Sequence, residues 1–276
     1  MAILSIQSHV VYGYVGNKAA VYPLQSMGYD VWPVNTVQFS THTGYQGWKG
    51  EVFPRTHIRE IIQALENLGK ISECKAILSG YMGSADTCFE VKETVQRFKA
   101  QNDKIIYLCD PVIGNQNCYV KPEVLEFFKT SLYADIITPN QFEAETLSGI
   151  IIKDKKDLQA VANYFHNLGI KIVLITGIKF DNSLYIFVSD QEQQHLIKID
   201  EYEFKQSLNG TGDLFSAVFL GSYLSHQDAI EATKNAVYYM DLVIKNTLAR
   251  QVQELQVIST SYDVSPKNSK SSMSLK

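Results

Sequence analysis

Two glycines flanking one threonine, with a carboxylate directly after them, make the most chemically loaded stretch of the chain. Asn209, Gly210, Thr211, Gly212 and Asp213 run straight into the mainly apolar series Leu214, Phe215, Ser216, Ala217, Val218, Phe219, Leu220. Glycine admits the left-handed backbone that turns successive N–H groups toward one point, and a helix start adds its own unpaired N–H groups there. Such a point binds a phosphate. A carboxylate beside it would repel the anion, so Asp213 makes sense as the acceptor of a proton from an attacking hydroxyl. The chemistry implied is phosphoryl transfer to an alcohol. The alternative for the same residues is an ordinary tight turn capping a helix. Neither a GxxxxGK[ST] loop nor a paired HRD and DFG set occurs, which excludes the two commoner ATP-binding plans.

Residues of this kind need a frame to bring them together, and the chain supplies one. Short β-rich runs at 3–6, 31–34, 76–78, 105–109, 136–138 and 172–175 alternate with helical stretches, the pattern of a parallel sheet covered by helices. Ile58, Ile61, Ile62, Leu65 and Leu68 form one apolar helical stripe; Ile230, Thr233, Val237, Met240 and Ile244 form another. Runs 184–188 and 196–199, joined by polar residues 189–194, read as an antiparallel hairpin. In a parallel sheet ligands gather outside the carboxyl ends of the strands. There the chain places Gln7, Ser8, His9; Asn35, Thr36 and the loop 39–50; Ser79, Gly80, Tyr81; Asp110, Pro111; Pro139, Asn140, Gln141, Phe142, Glu143; and Thr176, Gly177. Each group alone suits a satisfied turn or cap, while recurrence at every rim position points to one shared site.

Composition narrows the class. At 276 residues, with 45 % hydrophobic and 20 % charged side chains, the chain can bury a large core as one domain over 1–258. The Ser/Lys-rich remainder, 259–276, reads as a disordered tail. A net charge of −4 without a basic cluster gives no footprint for nucleic acid or an anionic membrane. No apolar run approaches the roughly 18 residues of a membrane span, and the first residues lack a basic region and apolar core, so a soluble cytoplasmic protein is expected. Cys74, Cys88, Cys109 and Cys118 form no CxxC pair and read as reduced thiols, the first three in the core.

The segments Ser5-Ile6-Gln7-Ser8-His9-Val10-Val11-Tyr12-Gly13, Val34-Asn35-Thr36-Val37-Gln38-Phe39-Ser40-Thr41-His42-Thr43-Gly44-Tyr45, Leu78-Ser79-Gly80-Tyr81, Asp110-Pro111-Val112 and Thr138-Pro139-Asn140-Gln141-Phe142-Glu143-Ala144-Glu145 resemble the pyridoxal kinases. The Gly210–Ala217 segment is shared with the wider ribokinase superfamily. The resemblance covers about 3–258 and implies a ribokinase-like three-layer α/β/α sandwich with a mostly parallel central sheet and a small lid segment. It implies ATP-dependent phosphorylation of the 5'-hydroxymethyl group of pyridoxal, and of pyridoxine and pyridoxamine. The resemblance further implies Mg2+ or another divalent cation with ATP, potassium as an activator, and a homodimer.

Carried over residue by residue, the resemblance makes Asp213 the base and the loop from Gly210 to Gly212 the anion hole. Ser8, His42, Thr43, Tyr81 and Cys118 would contact the vitamin, with Tyr45 and Trp48 closing the 39–50 lid. Asp110, Asn140, Glu143, Thr176, Thr211, Gly212 and Phe215 would meet ATP, with Leu242 a further apolar neighbour of adenine and Asp110 and Glu143 near the metal. Asn140 and Glu143 suit an N-cap and its capping-box partner equally well. His42 could be structural. Cys118 could add to the substrate aldehyde or have no role. Two departures are Thr41, where many relatives have Asn, and Asn115, where some carry an acid. A related kinase for hydroxymethylpyrimidine or a sugar, or a non-catalytic B6 carrier, are the alternative functions.

Overall fold

The computed structural model describes residues 1–204 and 208–261 and the backbone of 272–274. Its first half runs β1 (Ala2–Val10), α1 (Asn17–Ser26), β2 (Asp30–Phe39), β3 (Gly50–Val52), α2 (Arg55–Asn67), β4 (Cys74–Ser79), α3 (Ala85–Gln101) and β5 (Ile106–Cys109). A small hairpin, β6 (Gly114–Asn115) and β7 (Asn117–Cys118), precedes α4 (Pro122–Ser131), β8 (Ile136–Ile137), α5 (Gln141–Ser148) and α6 (Lys155–Asn167). The chain closes with β9 (Ile172–Phe180), β10 (Ser183–Ser189), β11 (Gln194–Ile199), α7 (Thr211–His226), α8 (Ala229–Ala249) and β12 (Ser272–Ser274).

The strands line up as β12-β11-β10-β9-β8-β5-β4-β1-β2-β3. From β2 to β9 every pairing is parallel, and the edges are antiparallel. Both faces of the parallel strands are buried, so their side chains alternate between two cores. Leu4, Ile77, Cys109, Ile137 and Val173 face α2 to α6, while Ile3, Ala76, Leu108, Ile136 and Leu174 face α1, α7 and α8. This is the expected three-layer sandwich. Phe98 and Phe165, fully buried on one side, and Phe219 on the other, each stabilise it by about 1.5–3 kcal/mol. The strand order reverses beside β1, where β2 lies on one flank and β4 on the other, and that reversal opens the crevice for a ligand.

Local differences from the sequence reading have physical causes. On α2 the buried positions are Ile58 and Ile62; Ile61 is exposed, and Leu68 falls at the C-cap just past the helix, where it faces solvent. The tail is not uniformly loose. Asn246 donates to Ser259 and Thr260, Thr260 is buried, and Ser272–Ser274 adds an antiparallel strand to β11 whose open edge offers unpaired backbone groups. Tail residues 262–271 and 275–276 lie outside the described residues. Among the described residues no helix is long and apolar enough to cross a membrane.

Candidate active site

The anion loop forms because the chain must reverse at Gly210. This residue caps α7 with φ 83°, a left-handed conformation, and a Cβ there would overlap the Tyr14 carbonyl oxygen. Gly210 is therefore glycine for two independent reasons. The first turn of α7 begins at Thr211 and leaves its N–H groups without helical partners. Gly212 differs: its φ is ordinary, and a Cβ would lie 3.5 Å from Asp110 Oδ2, facing open space. Its small size keeps clear the place where an anion would approach.

Three carboxylates surround that place. Asp110 ends β5 and is fixed by a 2.9 Å bond from its N–H to Ser79 O. Its side chain accepts from Ser216 Oγ at 3.3 Å, and Ser216 in turn pairs with Thr138 at 2.8 Å, tying α7 to the ends of β5 and β8. Burial, and then the charges of Glu143 and Asp213, push Asp110 well above the usual carboxylate range against the bond from Ser216. Burial raises Glu143 to about 7, although the N–H groups of Ile113, Asn140 and Gly114 hold its anion at 2.8, 2.9 and 3.3 Å. Asp213 is half-buried in the cleft, where the surrounding protein raises its pKa and the Gly16 N–H opposes the rise. Burial away from water leads all three shifts, with like charge adding to it at Asp110 and Glu143.

Asn140 and Glu143 do form a capping box: Asn140 Oδ1 accepts from Glu143 N at 3.0 Å while Glu143 Oε2 accepts from Asn140 N. Asn140 Nδ2 also donates to Gly114 O at 2.8 Å, so the pair anchors the β6–β7 flap. Among the described residues no three His, Cys, Asp or Glu side chains converge closely enough to hold a metal by themselves. The observation that fits a cation is Asp110, a buried carboxylate with raised pKa. Glu143 already spends both oxygens on backbone N–H groups.

Ser8 is buried where β1 slips register against β2 between Gln7 and His9, and a Cβ on Gly16 would strike its hydroxyl. Across β4, Gly80 lets Asp213 approach: a Cβ would stand 3.4 Å from Asp213 Oδ1 and 2.5 Å from Gln7 Oε1. Tyr81 is half-buried, with its backbone carbonyl held by Thr36 Oγ1 at 2.7 Å, and burial raises its phenol. The loop 40–49 bends over this side. His42 Nε2 lies 3.5 Å from Asn209 Nδ2, and Trp48 packs on Phe39 with ring centres 4.6 Å apart. Thr43 is exposed on the loop.

The structure therefore gathers Asp213, Gly210, Thr211, Gly212, Asp110 and Glu143 around one cleft, with Ser8 and His42 at its β1 side. Thr176 bridges Asn140 from the middle of β9, which continues to Phe180 instead of ending at 175 as the sequence suggests. Cys118 is exposed in the flap, its thiol facing Val120 O. Phe215 departs from its expected role: it is 3 % exposed within the core, stacked on Phe219, because the second residue after Asp213 turns into the helix's buried face. That leaves no surface for adenine. Leu242 is half-buried on α8. Sequence reasoning missed Ser216, Thr138 and Tyr119. Tyr119 is exposed at the surface of the flap, yet its surroundings and the charges of Glu143, Asp213 and Asp110 push its pKa up. A tyrosine one residue beyond Cys118 in a flap was the available signal.

Comparison with known proteins gives the site its context. Residues 34–257 match the family model described as phosphomethylpyrimidine kinase. The chain is 39 % identical over 269 residues to the pyridoxal kinase PdxY of Aliivibrio fischeri, covering 94 % of this chain and 93 % of that one. It is 38 % identical to the pyridoxal kinase PdxY of Corynebacterium diphtheriae, with 94 % of each chain covered. Among solved structures, the pyridoxal kinase of Leishmania donovani in complex with ADP and pyridoxamine superposes with a TM-score of 0.91 at 32 % identity, covering 100 % of this chain and 99 % of the other. With relatives this similar along nearly its whole length, and with the glycine loop and carboxylates in one cleft, the chain belongs to the pyridoxal kinase family.

Proposed function

We propose that the protein phosphorylates the 5'-hydroxymethyl group of pyridoxal, and of pyridoxine and pyridoxamine, from ATP. The observation that carries this is the convergence of the α7 N-terminus with Asp213 and Asp110 in a crevice beside β1. Phosphoryl transfer needs positioning and charge neutralisation more than covalent chemistry. The unpaired N–H groups of the first turn of α7 meet the charge that gathers on the transferred phosphate. Asp213 accepts a hydrogen bond from the hydroxymethyl group and takes its proton late, while Gly16 N–H fixes the carboxylate's orientation. Ser8, His42, Thr43 and Tyr81 line the vitamin side, with Cys118 in the flap near the aldehyde; Asn140, Thr176 and Thr211 line the nucleotide side.

Asp110 would hold Mg2+ together with the ATP phosphates, and Glu143 would act by keeping the flap backbone in place. The ion supplies neutralisation of phosphate charge. Potassium activation rests on the resemblance alone and is tested by omission. A homodimer fits the exposed Val11, Tyr12 and Trp48 beside the free edge of β3, and a cytoplasmic location fits reduced cysteines. The test follows pyridoxal 5'-phosphate by absorbance with MgATP and potassium, comparing the natural chain with Asp213→Ala. ATP-dependent product that falls about 100-fold or more in the variant supports both kinase and base. Because the family model is described for phosphomethylpyrimidine, hydroxymethylpyrimidine belongs in the same panel. Preference for it would overturn the vitamin assignment, and pyridoxal binding without turnover would indicate a carrier.

A further inference from the structure

Glu254 lies in the segment after α8, outside every motif used so far, yet its carboxylate gathers three separate parts of the chain. Tyr45 Oη donates to Glu254 Oε1 at 2.7 Å, and His42 Nε2 stands 3.4 Å from the same oxygen. Tyr14 N–H donates to Oε2 at 3.2 Å. Gly13 leaves room for that oxygen, since a Cβ there would come within 2.5 Å of it. Burial opposes the anion, but the bonds from His42 and Tyr45, the His42 charge and the Tyr14 N–H outweigh it and hold Glu254 below the usual carboxylate range.

The two lid side chains are also packed on each other, His42 and Tyr45 with ring centres 4.6 Å apart. From this knot the connection runs on to the anion loop through Tyr14, whose N–H is held by Glu254 and whose carbonyl lies against Gly210. Asn209 Nδ2 stands 3.5 Å from His42 Nε2 as a neighbour only, because Gly44 N–H donates to Nδ1 and the proton on Nε2 faces Glu254. An isolated surface ion pair contributes little, but an anion with several converging donors on separate segments fixes their relative positions.

We infer that Glu254 is a positioning residue: it latches the 40–49 loop shut and couples that loop to the anion loop, so that the vitamin and nucleotide sites close together. The inference rests on the reading of the cleft as a B6 vitamer kinase site, in which His42 and Thr43 belong to the lid. Without the latch the chemical groups stay in place, but closure becomes less favourable, and binding weakens before chemistry does.

The test uses Glu254→Gln, Tyr45→Phe and the double variant, in the full chain. KM for pyridoxal and for ATP should both rise roughly three- to tenfold in each single variant, the loss of one partly exposed charge-assisted hydrogen bond, with kcat equal or higher. The double variant should be no worse than the more affected single one. An activity-independent readout runs in parallel. With Trp32→Phe as background, Trp48 is the only tryptophan, and acrylamide should quench it more strongly when Glu254→Gln is added, at unchanged melting temperature. Unchanged KM values, additive effects, or Trp48 quenching that does not move would overturn the latch. If the natural chain makes no pyridoxal phosphate, the kinase reading fails, while Trp48 quenching still decides whether the latch holds the loop.

Discussion

The two glycines of the anion loop should fail in different ways when a methyl group is added. At Gly210 the substitution Gly210→Ala meets both a φ of 83° and the Tyr14 carbonyl. The left-handed backbone costs an L-residue about 1–2 kcal/mol, and forced overlap adds about 1–3 kcal/mol, for a total of roughly 2–5 kcal/mol. In a chain of this size that lowers the melting temperature by on the order of 10 °C. Moving α7 away from Tyr14 also drags Asp213 off its alignment, so activity falls with stability. At Gly212 the φ is ordinary and a Cβ meets Asp110 Oδ2 at a comfortable 3.5 Å. Alanine there favours the helix by about 1 kcal/mol, so the melting temperature should hold or rise by up to about 3 °C. Yet the methyl projects into the space kept for phosphate, and kcat/KM should fall at least about tenfold. Thermal melting beside initial rates of pyridoxal phosphate formation separates the two. The reasoning is refuted if Gly210→Ala melts like the natural chain, or if Gly212→Ala loses stability as heavily as Gly210→Ala.

Asp213→Asn keeps the shape and removes the proton acceptor, so kcat should drop by about 10²–10⁴ while binding of pyridoxal, read by fluorescence titration, stays within severalfold. A large loss of affinity with kcat retained would contradict the assignment. Glu143 has its folded pKa raised from about 4.5 to about 7. The folded state therefore binds more protons than the unfolded chain between those values, and the stability contributed by protonated Glu143 is lost as pH rises from about 4.5 through 7. Against Glu143→Gln, which cannot titrate, the natural chain should lose melting temperature steadily from pH 5 to pH 8; parallel curves would sink the claim. Burial raises the thiols of Cys74 to about 11 and Cys109 to about 12, and raises Cys88 further, while Cys118 is exposed. One thiol per native chain should react with a disulfide reagent such as Ellman's, and Cys118→Ser should abolish the reaction.

Much of the sheet is legible in the chain because strands buried on both faces must be mainly apolar, and the runs at 76–78, 105–109 and 172–175 are so, as is 3–6 apart from Ser5, whose hydroxyl is hydrogen-bonded to Asn17. β3 escaped because its residues Gly50, Glu51 and Val52 lie at an edge where burial selects little. The β6–β7 flap escaped because pairs of two residues carry no period. Polar residues after each strand located the crevice, since only there does a parallel sheet leave polar side chains converging. What remained hidden depends on distant pairing. Nothing near Ser216 announces that it bridges Asp110 and Thr138, and nothing near Glu254 announces the lid. Phe215 misled because GTGD is followed by residues whose inward and outward faces cannot be told apart on a helix apolar almost all round.

The seat of Gly210 against Tyr14 joins parts of the chain separated by nearly the whole domain, and Tyr29 Oη repeats the connection by donating to Gly221 O at 2.7 Å. During synthesis from the amino end, β1, α1 and the strands beside them emerge long before α7. The phosphate-binding turn thus has no counterpart to close on until more than three-quarters of the polypeptide has left the ribosome. Until then the apolar face of α1 that packs on α7 stands uncovered. Nucleotide affinity therefore serves as a marker of completed folding: an interrupted chain ending before Gly210 keeps most of the sheet and lacks this turn entirely.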